Sequence, residues 1–253
     1  MQIISLFSGC GGLDLGFRQA GFQVIWANEY DRTIWSTYRT NHQDTVLDRR
    51  DIKEITSQDI PDCVGIIGGP PCQSWSEGGK QRGINDDRGR LFLEYIRVLK
   101  DKQPDFFLAE NVSGILHQKH QNSFQKIFDS FQESGYHVAY KLLNAKFYNV
   151  PQDRQRVIFI GYHHRLGKTF DFNQLTPQKN IPTLKDAIWD LRLSAIPAKE
   201  KNKTRGDECL IPNHEYMIGG FSSIYMSRNR VRSWTEPSFT IQAGGRHAPI
   251  HPQ

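Results

Sequence analysis

The stretch that most limits how this chain can fold is "IISLFSGCGGLDLG", Ile3 to Gly16. A short apolar, β-branched run passes into four glycines and then into a helical pattern that closes at Gly21. That order reads as strand, tight turn, helix. Glycines at such a turn let the backbone come close to a ligand, and the helix start turns its free amides toward it. The next strand ends in "ANEYD", which places Glu29 twenty residues after Gly9 (29 − 9). A carboxylate there can accept hydrogen bonds from both hydroxyls of a ribose. A third acid, Asp51 in "RRDI", lies where an adenine amino group could be met. A turn holding no ligand is the plain alternative, and the strand before the glycines and the acid after them favour a nucleoside cofactor. The spacing leaves a dinucleotide and S-adenosylmethionine both open. The G-x-G-x-x-G pattern does not fit, because Gly9-Cys10-Gly11 is followed at the third place by Asp14, and this leans away from a dinucleotide.

Up to about residue 163 the pattern repeats. Ile3–Phe7, Phe22–Ala27, Val64–Ile67, Phe106–Ala109 and Arg156–Tyr162 read as strands. The segment "SFQKIFDSFQESG" puts Phe124, Ile127, Phe128 and Phe131 on one helical face and stops at Gly135. Alternating strands and helices predict a parallel sheet covered on both faces. From about residue 164 the chain becomes turn-rich and weakly periodic, which predicts two domains, 1–163 and a smaller irregular 164–253. No apolar run approaches the roughly 18 residues of a membrane span, so no membrane partner is expected. Four cysteines without C-x-x-C spacing indicate neither zinc nor a disulfide framework, and a reducing cytoplasm is the expected compartment. A net charge of +5 is compatible with a polyanionic partner.

Within this frame "GGPPCQSWS" stands out. Pro70 and Pro71 fix the backbone just before Cys72, so this thiol is presented in a pre-shaped loop. Cys10, Cys63 and Cys209 carry no comparable signal and read as structural. Another strand delivers "ENV" at its end, so Glu110 and Cys72 would share the crevice at the carboxyl ends of the strands. "PQDRQRV" adds Arg154 and Arg156, of which one is expected to face the crevice and the other to make a structural ion pair.

The ordered series "LFSGCGG", "NEYD", "GGPPCQ", "DDRGRLF", "ENV" and "PQDRQR" resembles that of DNA (cytosine-5) methyltransferases, almost continuously over the first 160 residues or so. The later "NHEYMIGGFSSIYMSRNRVRSW" more narrowly resembles bacterial modification enzymes that read GGCC. The resemblance implies an α/β fold: a Rossmann-like S-adenosylmethionine-dependent methyltransferase sheet, with a smaller irregular DNA-recognition domain. It implies double-stranded DNA as substrate and a flipped cytosine; a monomer is the expected state. Cys72 would attack carbon 6, Glu110 would engage ring N3, and Arg156, with Arg154 in the same motif, would hold O2. Phe7, Gly9, Gly11, Glu29, Asp51, Pro71 and Leu91 would surround the cofactor. Core packing explains Phe7 and Leu91 equally well, and Arg50 stands where the family often has glycine before Asp51.

Arg228, Arg230, Arg232, Thr240 and Arg246 are the candidate DNA-reading residues, since arginine pairs twice with guanine. Phosphate contact is the competing role for each, and Lys201, Lys203 and Arg205 read as a solvated loop. No counterpart of the family's closing motifs is found, neither the glutamine-arginine helix nor the "GN-x-V-x-P"-like segment. The expectation is therefore a chain completed by a C-terminal segment, or a DNA-binding fragment without turnover. A nicotinamide-dependent oxidoreductase with a redox thiol is the third reading, resting only on the glycine loop and Glu29.

Overall fold

The computed structural model describes residues 1–71, 90–200, 208, 215–216, 218 and 232–241. The strands and helices of its first half are β1 (Gln2–Leu6), α1 (Gly12–Gln19), β2 (Gln23–Asn28), α2 (Trp35–Asn41), β3 (Val46–Asp48), β4 (Gly65–Gly68), α3 (Arg90–Lys102), β5 (Phe106–Val112) and α4 (Gln121–Glu133). They are followed by β6 (Tyr136–Asn144), β7 (Gln152–Asp153), β8 (Gln155–His163), α5 (Leu184–Ile188), β9 (Ile196–Pro197), β10 (Glu215–Tyr216) and β11 (Ser238–Phe239). A seven-stranded sheet has the order β3-β2-β1-β4-β5-β8-β6. Strands β1 to β5 pair in parallel.

The expected all-parallel sheet is corrected at one place, because β8 runs antiparallel to β5. The reason lies in the connection. The chain reaches β8 from its other neighbour, β6, and the link between Asn144 and Gln155 carries no α-helix, whereas a parallel return needs a crossover of a dozen or more residues, usually helical.

Side chains alternate across the sheet and build two apolar layers. On one face Ile4, Leu6, Ile66, Phe107 and Phe159 pack with α3 and α4 through Phe92, Tyr95, Leu99, Ile127 and Phe131. Rings stack tightly there, with Phe107 and Phe131 centroids 4.4 Å apart. On the other face Ile3, Val24 and Ile67 pack with Leu13 and Phe17 of α1. Helices α1 and α4 end as their glycines predict: Gly21 and Gly135 have φ of +86° and +98°. Phe124, Ile127 and Phe131 are buried as the helical spacing predicts, and Phe128 is partly buried.

Gly65 and Gly161 admit close approach of phenylalanine rings. A Cβ at Gly65 would lie 2.3 Å from the Phe106 ring, and one at Gly161 would lie 2.1 Å from the Phe107 ring. Each glycine is the register partner of the phenylalanine that covers it.

The chain divides into two compact units, Met1–Leu143 with Arg156–Leu175, and Asn144–Gln155 with Thr176–Gln253. In the second, α5 opens with a reciprocal Thr183–Asp186 capping box, and Trp189 meets Trp234 edge-on at 5.2 Å. Strands β7 and β11 pair in parallel, as do β9 and β10. Among the described residues no helix is long and apolar enough to cross a membrane.

Candidate active site

The strand registers line up one row across the sheet: Asp48, Asn28, Leu6, Gly68, Ala109 and Phe159 are successive partners. Each residue one step beyond that row therefore stands at the same edge: Glu29 after β2, Phe7 after β1, Gly69 after β4, and Glu110 in β5. With neighbouring strands about 4.8 Å apart, Glu29 and Glu110 are separated by three strand spacings, about 14 Å. That span suits an extended nucleoside cofactor at one end and a second reactant at the other.

At the first end the backbone from Phe7 to Gly12 coils tightly. Phe7, Gly9 and Gly11 have φ of 54°, 55° and 82°, and Phe7 is one of few non-glycine residues in that region. The Gly9 amide donates to Glu29 Oε2 at 2.8 Å, and the Asp31 amide donates to Oε1 at 2.7 Å. Each carboxylate oxygen is thus aimed by one amide, and a carboxylate oxygen has lone-pair capacity for a second donor such as a ribose hydroxyl. Trp35 Nε1 donates to the Glu29 carbonyl at 2.8 Å, and the Arg49 guanidinium lies 4.9 Å from the Trp35 ring. A Cβ built on Gly9 meets nothing within 4 Å. This acid beside an open glycine turn fits a nucleoside cofactor. Asp51 caps a single helical turn, its Oδ1 accepting from the Lys53 amide at 3.1 Å. Phe7 and Leu91 are partly buried against the main core.

At the second end Gly68 packs so closely that a Cβ would lie 2.4 Å from the Leu6 carbonyl oxygen. The turn that follows is pinned from β5: Asn111, 1 % exposed, donates from Nδ2 to the Pro70 carbonyl at 3.4 Å, while its Oδ1 accepts from the Val112 amide at 2.9 Å. Pro70 is buried and Pro71 is partly buried. A Cβ on Gly69 would lie 3.4 Å from Glu110 Oε2, so the proline turn passes directly beside that carboxylate. Glu110 forms an ion pair with Arg156, Oε1 to Nε 2.6 Å. The pairing is diagonal across β5 and β8, because Glu110 opposes Ile158 and Val112 opposes Arg156.

The first unit therefore brings together Phe7, Gly9, Gly11, Glu29, Glu110 and Arg156, with Pro71 closing the proline turn. Cys72 lies outside the described residues. Arg154 belongs to the second unit, where its carbonyl accepts from the Ala145 amide at 2.9 Å. Arg156 makes its ion pair at the crevice edge. In the second unit Arg232 lies 3.1 Å from Glu236 and 3.8 Å from Asp153, with its guanidinium 4.0 Å from the Phe239 ring. Thr240 donates to the Asp153 carbonyl at 2.8 Å. Arg228, Arg230 and Arg246 lie outside the described residues, as does Cys209.

Of the other thiols, Cys10 is exposed and Cys63 is partly buried. Burial pushes the Cys63 thiol up to about 11, which keeps it protonated and unreactive at neutral pH. Among the described residues no cluster of three metal-ligating side chains occurs.

Sequence reading missed three contributors. Asn111 was visible within "ENV", but only the contact with Pro70 reveals its task. Trp35 had no signal beyond lying near Glu29. Asp14 was used only to reject a glycine pattern, yet it is fully buried, and its sequence signal was an acid between the apolar Leu13 and Phe17 of a short helix.

Comparison with known proteins is consistent from end to end. The profile described as C-5 cytosine-specific DNA methylase matches residues 1–252. The chain is 55% identical over 254 residues to the Type II methyltransferase M.FnuDI of Fusobacterium nucleatum, covering 100% of this chain and 74% of that protein. It is 53% identical over 253 residues to M.MthTI of Methanothermobacter thermautotrophicus, covering 100% of this chain and 76% of that one. Among solved structures it is similar to one described as a DNA modification methyltransferase encoded within a prophage (E. coli). That match has a TM-score of 0.69 at 27% identity and covers 100% of this chain and 84% of the other. It is also similar to DNMT2 of Spodoptera frugiperda, with a TM-score of 0.58 at 27% identity, covering 72% of this chain and 57% of that one.

Proposed function

Because this chain belongs to the C-5 cytosine-specific DNA methylase family, we propose that Cys72, Glu110 and Arg156 carry its methyl transfer to carbon 5 of cytosine in DNA. The methyl donor is S-adenosylmethionine, which when bound supplies an electrophilic methyl group. Its seat in this reading is the turn Phe7, Gly9 and Gly11 with the acids Glu29 and Asp51, flanked by Pro71 and Leu91. The observation that supports the assignment most directly is the 2.6 Å Glu110–Arg156 pair beside the Gly69–Pro70 turn, two residues before Cys72.

Carbon 5 of cytosine is a weak nucleophile on its own. A bond from the Cys72 sulfur to carbon 6 pushes the electrons of the 5,6 double bond toward carbon 5. Glu110, hydrogen-bonded to or protonating ring N3, stabilises the charge that develops on the ring. Arg156 orients Glu110 and offers its guanidinium to the exocyclic O2. Once carbon 5 carries the methyl group, its hydrogen leaves as a proton, the carbon–sulfur bond breaks, and the thiolate is restored. None of this can occur in a stacked duplex, so the base is flipped at a cost of a few kcal/mol. A reducing cytoplasm keeps the Cys72 thiol free, and a monomer suffices. The target is of GGCC type, read by Arg228, Arg230, Arg232, Thr240 and Arg246, with Arg154 supporting Arg156 from the same motif.

Trapping tests the reading. A duplex with 5-fluorocytosine at the target holds the adduct, because fluorine cannot leave as a proton would. The wild-type chain with S-adenosylmethionine is expected to form a denaturation-resistant complex, and Cys72→Ser none. An equal yield of complex from both proteins would overturn the assignment. Methyl incorporation is measured on the same duplexes, with the chain alone and with the additional stretch its relatives carry.

A further inference from the structure

One buried group takes no part in the chemistry described so far. Asp14 stands in the first turn of α1 and is 0% exposed. Its Oδ1 accepts from Ser5 Oγ at 2.6 Å and its Oδ2 accepts from Tyr38 Oη at 2.6 Å. These are short, charge-assisted bonds from two different elements, β1 and α2. Burial holds the Asp14 carboxyl above its ordinary value, against a smaller downward pull from the two hydroxyls. Burial and the neighbouring carboxylate hold the Tyr38 phenol well above its ordinary value, so it remains a donor.

Stability alone does not explain such a group. Burying a carboxylate is costly, and an apolar side chain of the same size would fill the site at no such cost. What the carboxylate supplies is direction. Ser5 lies two residues before Phe7, and Asp14 lies two residues after Gly12, so the whole glycine turn is held between them. Tyr38 brings α2 against the same turn: a Cβ on Gly11 would lie 2.1 Å from His42 Nε2 and 3.0 Å from the Tyr38 ring. The two rings stack at 4.6 Å, and Arg18 of α1 donates toward His42 Nδ1 at 3.4 Å. The open face of Gly11 is thus filled by α2, and Asp14 fixes where α2 sits.

We propose that Asp14 is a positioning residue for the methyl donor, holding the Phe7–Gly12 turn in shape through Ser5 and Tyr38. The proposal rests on the reading of that turn, with Glu29, as the cofactor seat. Losing one hydroxyl of the network lets the turn relax and misdirects the Gly9 amide and Glu29 together.

The test is made on the purified enzyme by calorimetric titration with S-adenosylmethionine. Tyr38→Phe keeps the ring and removes the hydroxyl. It is expected to weaken binding about tenfold and to raise KM for S-adenosylmethionine equally, with kcat at saturation unchanged and the ligand-free melting midpoint lowered by the lost buried bond. Asp14→Asn shifts the same way, and if it does not fold, Ser5→Ala takes its place. Glu29→Ala separates the two ideas, since normal binding by that variant removes the cofactor seat itself. Loss of binding in Glu29→Ala, with wild-type affinity in both Tyr38→Phe and Asp14→Asn (or Ser5→Ala), overturns the proposal. So does a lower melting midpoint in those variants with affinity unchanged, which marks Asp14 as structural only.

Discussion

Glu110→Gln keeps the size of the side chain and leaves the Arg156 guanidinium facing a neutral amide. A positioned proton donor is worth about 10²–10⁴-fold in rate. The expectation is a single-turnover methylation rate lower by about that factor, with duplex affinity in a gel-shift assay within a few-fold of wild type. Parallel loss of binding would instead make Glu110 a structural anchor for Arg156. The acid sits in the laddered end of β5, opposite Ile158, and needs no loop closure to reach its place. Its neighbour Asn111 faces the other way and fixes the proline turn. One strand end thus holds both the carboxylate of the Arg156 ion pair and the amide that pins the proline turn.

At the scale of elements, the fit of rings over glycines gives a direct test. Gly161→Ala places a methyl inside the Phe107 ring volume, and overpacking of this kind costs typically about 1–3 kcal/mol. Urea unfolding should show that loss while methylation at low temperature persists. In the pair β7–β11, Asp153 is a hub for Asn144 at 2.7 Å, Lys146 at 3.2 Å and Arg232 at 3.8 Å. The Asn144 hydrogen bond, followed by Lys146, holds its carboxyl below the ordinary value. A carboxyl depressed in the folded state contributes stability above the unfolded value near 4 and loses it as pH falls further. The melting midpoint of wild type should therefore drop more steeply than that of Asp153→Asn between about pH 5 and pH 3.

What the sequence disclosed follows the range of each interaction. The glycine turn, Glu29 and Glu110 were legible because they recur at strand ends with local signals, and α4 because its apolar spacing is regular. The antiparallel β8, the Asp153 hub and the Asp14 network were not, because each is set by side-chain or strand pairing between separate elements that leaves no local pattern. Helices α2 and α3 and strand β6 were also passed over. The exposed faces of "WSTYRTN" and "YHVAYKLLN" blur the periodicity that α4 displays.

For the whole molecule, a net charge of +5 makes duplex binding salt-sensitive without giving selectivity. Selectivity is assigned to the arginines of "SRNRVR". Arg228→Ala and Arg230→Ala should each narrow the preference for the target duplex over a one-base variant by about 1–3 kcal/mol, since one guanine contact is lost. The methylation rate on the target should fall less than the preference does. Competition between the two duplexes measures this, and an unchanged preference in both variants removes the base-reading role. Arg232 and Thr240 are engaged within their own unit, so their substitution would confound reading with folding. The consecutive phenylalanines of β5 bear on activity as well as on packing. Phe106 rivets the strand to β4 and Phe107 rivets it to β8, on opposite faces. A slip by one position would drive a ring into a side chain and turn Glu110 to the underside of the sheet. Correct alignment of this one strand is thus a checkpoint that a misthreaded molecule fails on both counts, by steric collision and by an acid that never meets its base.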